Sequence, residues 1–389
     1  MTPAERILGK ALAASPMKSA DWSSVQAGFR DRAFFSATVD DARRLAVMRE
    51  AVAKVAAGGL DESQARLAIR EALEKTGYQR PDDVKEGSLQ DLYSQRRLDL
   101  IIRTNVAEAR GYVRYLEGTS EGALAAFPCQ ELVRTQNRKA PRNWPEIWKG
   151  HGGSLFGSGR MIALKTDPIW TAISRFGHPW PPFDFNSGMG LRDVGRREAI
   201  RYGVISADDP PPNPPKTPKF NDGLAAPLPK GESKPVQDFL QARLGSQVSV
   251  QKGMVHFNAN LISDMLEGHG ELNAQLGQGH WNPKLLEKIE DPATRERAKT
   301  SGLTITRDWM RDHGQTHRNP SGKGGMNLPL TDGDYELIPS LWHSPDDVSE
   351  SAPGRLDLML DTLDDGRLFL GIDLAKGLAL TFQKRRIRP

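Results

Sequence analysis

A proline-rich segment constrains this chain more than any other feature of its sequence. Nine of the 27 prolines fall between Pro210 and Pro235. Proline lacks a backbone N–H and fixes φ, so neither a helix interior nor a central strand can run through this stretch. We therefore expect an extended, semi-rigid linker over residues 207–235, with folded regions on both sides of it.

The region before the linker begins with predicted helices over residues 1–84. Apolar residues three and four positions apart over Asp40–Val55 form one helical stripe, and Asp61 is suited to cap a second helix. A longer helix is predicted to begin at Ser88, where Ser88 and Asp91 resemble a capping box, and to end at Gly118.

Residues 127–205 differ in composition from the predicted helices that precede them. It contains four of the eight tryptophans, punctuated by glycines and prolines, which predicts short strands and ordered loops pinned by aromatic rings. Between Glu131 and Arg201 there are twelve Lys and Arg against six Asp and Glu, although the whole chain carries only +4. This surplus indicates either a partner surface or a solvated face whose acidic complement lies elsewhere in the fold.

Several segments together carry a resemblance to a known family. A helix with Ile102, Arg103, Thr104, Asn105 and Ala109 precedes the segments Pro141–Gly153, Gly159–Trp170, Ser174–Gly190 and Asp193–Gly203, the third of which contains PPFDFNSGMG. This set resembles the Mu F-like head morphogenesis family of phage proteins over roughly residues 85–205. Many members end the module with P-x-C-x-C and an upstream His, whereas this chain has Phe183–Ser187 there. With Cys129 as the single cysteine, we expect no metal and no cofactor.

The resemblance implies that the chain is a minor head protein, with a head-morphogenesis module at 85–206. Such proteins associate with the portal, enter the procapsid in few copies and influence packaging or ejection. The implied partners are the portal protein, the major capsid or scaffold protein and double-stranded DNA. The implied location is the virion, in the head interior or at the portal vertex, and the host cytoplasm during assembly.

Basic residues of this module are the candidate binding residues. One group is interleaved with Trp144 and Trp148, which suits phosphate contacts with ring stacking, a protein interface, or simply cations beside core tryptophans. A second group falls at helical spacing and would line one basic face, functional or merely solvated. The first group is Arg134, Arg138, Lys139, Arg142 and Lys149; the second is Arg192, Arg196, Arg197 and Arg201.

The region after the linker, residues 236–389, is predicted to be a small α+β domain, which makes the whole chain α+β. Helices are predicted over Val236–Leu244 and Asn258–Leu266. Three alternating segments from Arg355 to Lys384, separated by short turns, predict a terminal antiparallel meander. The part from 334 to 389, with Tyr335–Val348 and Leu378–Arg386, is similar to phage nuclease modules grouped with barnase, EndoU, colicin and RelE-type toxins.

That similarity raises an alternative function, a virion-associated ribonuclease. Metal-free RNA cleavage needs proton-transfer groups and cations for the developing phosphorane charge. The catalytic candidates are His343, Lys384 and Arg386, and the wider set adds His313, His317, Lys323, Arg385 and Arg388. His313 and His317 are four apart, but Gly314 and the following Asn319-Pro320 argue against a helix that could present them to a metal. A degenerate module reused for binding is the other interpretation.

The sequence also bears on location. No stretch approaches the ~18 consecutive apolar residues of a membrane span, and the first sixteen residues lack the apolar core of a signal peptide. We expect no membrane partner. Three hypotheses remain: a structural minor head protein, a nuclease carried with the head, and a plain cytosolic nucleic-acid binder with salt-sensitive binding.

Overall fold

A computed structural model describes residues 1–215, 225–227, 238, 244–316 and 327–387, apart from Ser24, Gln26, Lys252, Gly253, Gly270, His280 and Asp365. The fold is α+β, as predicted, with a C-terminal antiparallel meander. The helices are α1 Pro3–Leu8, α2 Ser19–Ser23, α3 Ala27–Asp31, α4 Ala42–Ala56, α5 Glu62–Lys75, α6 Gln95–Gly118, α7 Glu121–Ala126, α8 Trp144–Gly150, α9 Ile169–Ala172, α10 Arg196–Arg201, α11 Asn258–Leu266, α12 Pro283–Leu286, α13 Pro292–Thr300, α14 Arg307–Thr316, α15 Asp332–Glu336 and α16 Ile338–His343. The strands are β1 Ala11–Leu12, β2 Ala33–Phe34, β3 Cys129–Arg134, β4 Leu155–Phe156, β5 Arg160–Leu164, β6 Met189–Val194, β7 Ala225–Pro227, β8 Val248–Gln251, β9 Met254–Phe257, β10 Ala274–Leu276, β11 Leu303–Ile305, β12 Asn327–Leu328, β13 Asp347–Ala352, β14 Arg355–Asp361, β15 Gly366–Asp373 and β16 Leu378–Arg386.

The predicted N-terminal helices are present, but the start of the long one was wrong. Asp61 caps α5 by accepting from the Gln64 N–H at 2.8 Å, as expected. Helix α6 begins at Gln95 rather than at Ser88, because Ser94 is its cap and accepts from the Arg97 N–H. The Asp91 carboxylate instead accepts from the N–H groups of Gly87 and Tyr93, so this stretch forms a turn before the helix.

The middle of the chain folds on a small antiparallel sheet with strand order β4-β5-β3-β6. Strand β3 is central and pairs along its whole length with β6, from Cys129 opposite Val194 to Arg134 opposite Met189. The two strands are about sixty residues apart in the chain, so only long-range packing brings them together. The loops and short helices between them carry the tryptophans, which is the loop-rich aromatic module expected from the sequence.

The C-terminal sheet contains more strands than the sequence predicted. The meander β14-β15-β16 is present with regular antiparallel register, and the predicted helix Asn258–Leu266 is α11. Strands β13, β11, β10 and β12 complete a sheet of order β10-β11-β16-β15-β14-β13, with β12 paired to β16. The predicted helix Val236–Leu244 lies almost entirely outside the described residues, as does most of the linker.

The N-terminal helices and the C-terminal unit share one apolar core. This core joins Ile7, Leu45 and Ile102 to Ile262 and Trp342. Two ion pairs lie across the same junction: Arg43 with Asp346 at 2.7 Å, and Arg49 with Glu336 at 2.8 Å. Regions on opposite sides of the proline-rich segment are therefore packed directly against each other.

Helix α14 contradicts the expectation that Gly314 prevents a helix around His313. The helix runs from Arg307 to Thr316 and buries Met310 completely. A mid-helix glycine costs only about 1 kcal/mol, and burial of a side chain such as Met310 contributes more than that. The His313 ring stacks on Trp309 with centroids 4.5 Å apart, while His317 lies outside the described residues.

Candidate functional site

The tryptophans of the middle module are core residues. Trp144 and Trp148 are 2% and 1% exposed and pack with Trp170 and Phe183 in one cluster. The indole of Trp148 donates to the Ser154 carbonyl at 2.8 Å. The interpretation that Trp144 and Trp148 stack on nucleic acid is therefore wrong, because their faces are already packed inside the protein. They make the module rigid instead.

The first group of candidate cations lies at the surface above this core. Arg134 ends β3, Lys149 lies in the last turn of α8, and both are exposed, as is Lys139 between them in sequence. Within the described part of the chain, none of these three has a carboxylate within ion-pair distance. Their charges are available to a partner, and we call Arg134, Lys139 and Lys149 the cationic triad.

The other two members of that group are engaged within the protein. Arg142 pairs with Asp184 at 3.0 Å and donates to the Phe185 carbonyl, so its charge is neutralised. Arg138 donates to the Gln136 side chain at 2.7 Å and is half-buried. Arg142 therefore anchors the loop at 184–185 to the start of α8.

The predicted basic face of Arg192, Arg196, Arg197 and Arg201 does not form. Arg192 lies on strand β6, and α10 begins only at Arg196, because Gly195 with extended dihedrals separates the two elements. Helical spacing cannot continue across such a break, so the four side chains do not share one face.

Two of those arginines have internal roles. The Arg192 guanidinium pairs with Glu131 at 2.7 Å and with Glu198 at 2.9 Å. Arg196 donates to the carbonyls of Ala207 and Asp209 and fixes the chain where the linker begins. Arg197 and Arg201 remain exposed on α10.

A buried charged cluster on α6 was not predicted from the sequence. Glu108 accepts from Lys10 Nζ at 2.8 Å, from Arg6 Nη2 at 3.1 Å and from the Trp180 indole at 3.2 Å. Arg6 also pairs with Asp31. Glu108 lies seven residues after Ile101 and four before Tyr112, on the apolar stripe of α6. A charged residue at that spacing was the available signal for a buried ion cluster.

The electrostatics of this Glu108 cluster follow from its burial. Burial by itself raises the pKa of Glu108, but Lys10 and Arg6 outweigh it and hold that pKa well below its usual range. For Arg6, burial is likewise outweighed, here by Glu108 and Asp31, and its pKa is raised. His178, stacked on Trp180 at 4.6 Å, has a lowered pKa because it is buried, so its imidazole is neutral at pH 7.

The same cluster lies where the loop 174–186 packs on α6, and we call this segment the aromatic loop. Trp180 packs edge-on against Tyr112 with centroids 5.0 Å apart. Gly111 lets the loop approach, since a Cβ there would lie 2.0 Å from the Pro181 carbonyl oxygen. The helix and the PPFDFN segment that carry the family resemblance are thus in direct contact.

The three catalytic candidates of the C-terminal unit have different surroundings. Lys384 is 4% exposed and its ammonium lies 3.1 Å from Asp334 and 2.7 Å from Asp364. Burial opposes the charge, but the bonds to Asp364 and Asp334 raise the pKa of Lys384. An ammonium held by two carboxylates is poorly placed to stabilise phosphorane charge.

His343, Arg385 and Arg386 lie on two elements, α16 and β16. Arg386 is exposed at the end of β16, opposite Gly366. His343 is the last residue of α16 and is half-buried beside the fully buried Trp342. Arg385 packs over the Phe369 ring at 4.7 Å, and Lys323 and Arg388 lie outside the described residues. Within the described residues, His343 thus lies on a different element from Lys384, Arg385 and Arg386.

Metal and thiol chemistry have few candidates in the described residues. No three His, Cys, Asp or Glu side chains converge there in a way that could hold a metal ion. Cys129 is buried, and that burial raises the pKa of its thiol to about 11. Across the helices that the structure describes, none combines the length and apolar character needed to cross a bilayer.

Comparisons of the chain with protein-family models, with curated proteins and with solved structures found no match. The sequence resemblance and the geometry of the site are therefore the grounds on which a function can be proposed.

Proposed function

We propose that this chain is a minor head protein of a phage, acting in head assembly at the portal or the capsid interior. The observation that carries this proposal is the packing of the aromatic loop on α6 through Glu108, Trp180 and Gly111. The two segments that resemble the head morphogenesis family thereby form one rigid body. A rigid body with fixed surface charges suits docking to other components of the viral shell.

The cationic triad is the part of that body best suited to contact a partner. Arg134, Lys139 and Lys149 are exposed and have no carboxylate partner in the described part of the chain. Unneutralised surface cations speed encounter with an acidic protein surface and fix its orientation. They also suit DNA phosphates, whose contacts are salt-dependent. The proposed partners are the portal protein, the major capsid or scaffold protein and packaged double-stranded DNA.

The geometry weighs against the nuclease alternative. Lys384, one of the three catalytic candidates, is buried between Asp334 and Asp364. Its place in the fold is that of a structural cation, and His343 lies on a different element from Arg386. We therefore propose that the C-terminal unit has a binding or structural role in the particle.

A mass-spectrometric inventory of purified virions and empty proheads tests the proposal. We expect the protein at a few copies per particle. A variant carrying Arg134→Glu, Lys139→Glu and Lys149→Glu should enter particles about tenfold less, because it presents three negative charges to the same partner. Absence of the wild-type protein from both kinds of particle contradicts the head role; salt-sensitive DNA binding without copurification then favours the cytosolic binder.

A matched control separates docking from net charge. Lys18→Glu, Lys284→Glu and Arg307→Glu change the charge by the same amount at exposed positions outside residues 85–206. We expect this control to enter particles at the wild-type level. Equal loss in both variants means that the cationic triad is not the docking surface. Deletion of residues 236–389 is less informative, because it exposes the apolar core shared with the N-terminal helices.

A further inference from the structure

A cavity of about 190 Å³ lies between the N-terminal segments 19–23 and 30–37, helix α6 and the aromatic loop. Aromatic side chains cover much of its wall: Trp22 and Phe35 are stacked with centroids 4.2 Å apart, and Phe176 meets Phe185 edge-on at 4.8 Å. His178 also lines the cavity and is only 6% exposed. We call this space the Trp22 cavity.

The charged side chains around the cavity do not balance. Four cations and two carboxylates line it, and both carboxylates are already engaged. Glu108 is held by Arg6 and Lys10, and Asp31 is held by Arg6. The remaining lining cations therefore have no lining carboxylate left to neutralise them.

Among the lining cations, Arg30 and Arg97 are the two whose charge lacks a carboxylate partner in the described part of the chain. Arg30 donates to the Val25 carbonyl at 2.9 Å. Arg97 donates to neutral oxygens such as Ser36 Oγ and the Ala37 carbonyl. Neither has a carboxylate within 4.0 Å in the described part of the chain. Burial lowers the pKa of both guanidinium groups, and for Arg97 it outweighs the opposing effect of Tyr78.

Two buried polar atoms at this cavity also have no hydrogen-bond partner among the described residues. They are Arg97 Nε and His178 Nδ1. Buried polar groups are nearly always hydrogen-bonded, so orphaned nitrogens on a cavity wall indicate a ligand that supplies oxygen or accepts a hydrogen bond. Together with the uncompensated guanidinium groups, they point to an anionic ligand.

The size of the cavity limits what that ligand can be. An engineered cavity of about 150 Å³ in another protein holds a benzene molecule. A volume of 190 Å³ thus takes one aromatic ring and a carboxylate, and is small for a nucleotide. We propose that the Trp22 cavity binds a carboxylate joined to a single aromatic ring, with the acid between Arg30 and Arg97 and the ring against Trp22 and Phe35. This ligand is either a small aromatic acid or the C-terminal aromatic residue of another protein. Neither alternative depends on the proposed role in head assembly.

Isothermal titration calorimetry of the full chain with 3-phenylpropionate tests whether the Trp22 cavity binds an aromatic carboxylate. We expect binding in the submillimolar range, and at least tenfold weaker binding of the neutral 3-phenylpropionamide and of ring-free propionate. The peptide Ala-Ala-Phe distinguishes the sources: tighter binding than 3-phenylpropionate indicates a chain terminus, and weaker or equal binding a small acid. Equal binding of acid and amide, no binding of either, or tighter binding of adenosine 5′-monophosphate overturns the proposal.

Variants locate the site. Arg30→Gln should weaken 3-phenylpropionate binding about tenfold, because it removes the charge while the amide can still donate to the Val25 carbonyl. Arg32→Gln is the matched control, since Arg32 is two residues away, also donates to one backbone carbonyl and does not line the cavity. Arg97→Gln is a second test. Its melting curve is measured as well, because Arg97 also donates to the Ser36 hydroxyl and the Ala37 carbonyl. Unchanged binding in both Arg30→Gln and a folded Arg97→Gln overturns the proposal.

Discussion

Two buried ion clusters of opposite polarity stabilise different regions of this chain. In the first, the Glu108 carboxylate lies between Lys10 at 2.8 Å and Arg6 at 3.1 Å. In the second, the Lys384 ammonium lies between Asp364 at 2.7 Å and Asp334 at 3.1 Å. One cluster has a negative centre and the other a positive centre, and each centre is nearly inaccessible to solvent.

The clusters differ in what they connect. The Glu108 cluster joins the N-terminal helix α1, the aromatic loop and α6, which lie far apart in the sequence. The Lys384 cluster joins α15 and the segment before β15 to the last strand, all within the C-terminal unit. The first therefore fixes how separate parts of the molecule are arranged, and the second stabilises one part internally.

The largest expected effect is at the cluster that spans regions. Glu108→Gln should lower the free energy of unfolding by about 3–5 kcal/mol, because Lys10 is left buried beside a neutral amide. Urea titration measures the loss, and hydrogen exchange locates it. We expect faster exchange in α1 and the aromatic loop, with little change in β14, β15 and β16.

Glu117→Gln is the control for that substitution. Glu117 is exposed on the same helix, and its replacement should change the free energy of unfolding by no more than about 0.5 kcal/mol. If the two variants lose the same small amount, the Glu108 cluster does not hold the regions together. If exchange rises equally across the C-terminal sheet, the two clusters do not differ in the regions that they connect.

A smaller effect is expected at the second cluster. Lys384→Met should cost about 2–3 kcal/mol, less than at Glu108, because the Asp364 side chain is 64% exposed and rehydrates, leaving only Asp334 buried without its partner. Hydrogen exchange should rise in α15 and β16 and not in α1. The double variant Asp334→Asn/Lys384→Met should recover part of the loss; a double variant as unstable as the sum of both single variants contradicts the pairing.

The contrast also explains how much the sequence could predict. The terminal meander and α11 follow from local alternation and spacing, and both are present where they were predicted. The pairing of β3 with β6 and the ion pairs of Glu108 with Lys10 and Arg6 depend on residues about 60 and 100 positions apart. Local patterns carry no information on such pairings.

The candidate sites show the same division. Clustered basic residues in the middle module were predicted, and three of the first group are exposed and have no carboxylate partner in the described part of the chain. The spacing of Arg192 with Arg196 suggested one helix face, but Gly195 separates a strand from a helix there. Lys384 was named as a catalytic candidate, whereas alternation along β16 places it on the buried face. The sequence therefore identified the charged residues, but it did not identify the residues with which they pair.

The subtlest expected effect is on how stability depends on pH, and here the two clusters should behave in opposite ways. The folded-state pKa of Glu108 is lowered, so its stabilisation is fully present above the unfolded value of about 4.3 and is lost as pH falls below it. The folded-state pKa of Lys384 is raised, so its stabilisation is present below about 10.4 and is lost as pH rises further. Lys10, Arg6 and His178 face Glu108. Burial lowers the folded-state pKa of His178, so its protonation in acid adds to the loss of stability and does not offset it.

The measurement is the gap in unfolding free energy between wild type and each variant. For Glu108→Gln the gap should be constant from about pH 6 to pH 9 and narrow below about pH 4. For Lys384→Met it should hold over the same range and narrow only above about pH 10.4. A gap for Glu108→Gln that stays constant into acid would mean that the pKa of Glu108 does not differ between the folded and unfolded states, so that Lys10 and Arg6 do not stabilise its charge. The comparison of the two clusters by the charge of their centres would then be wrong.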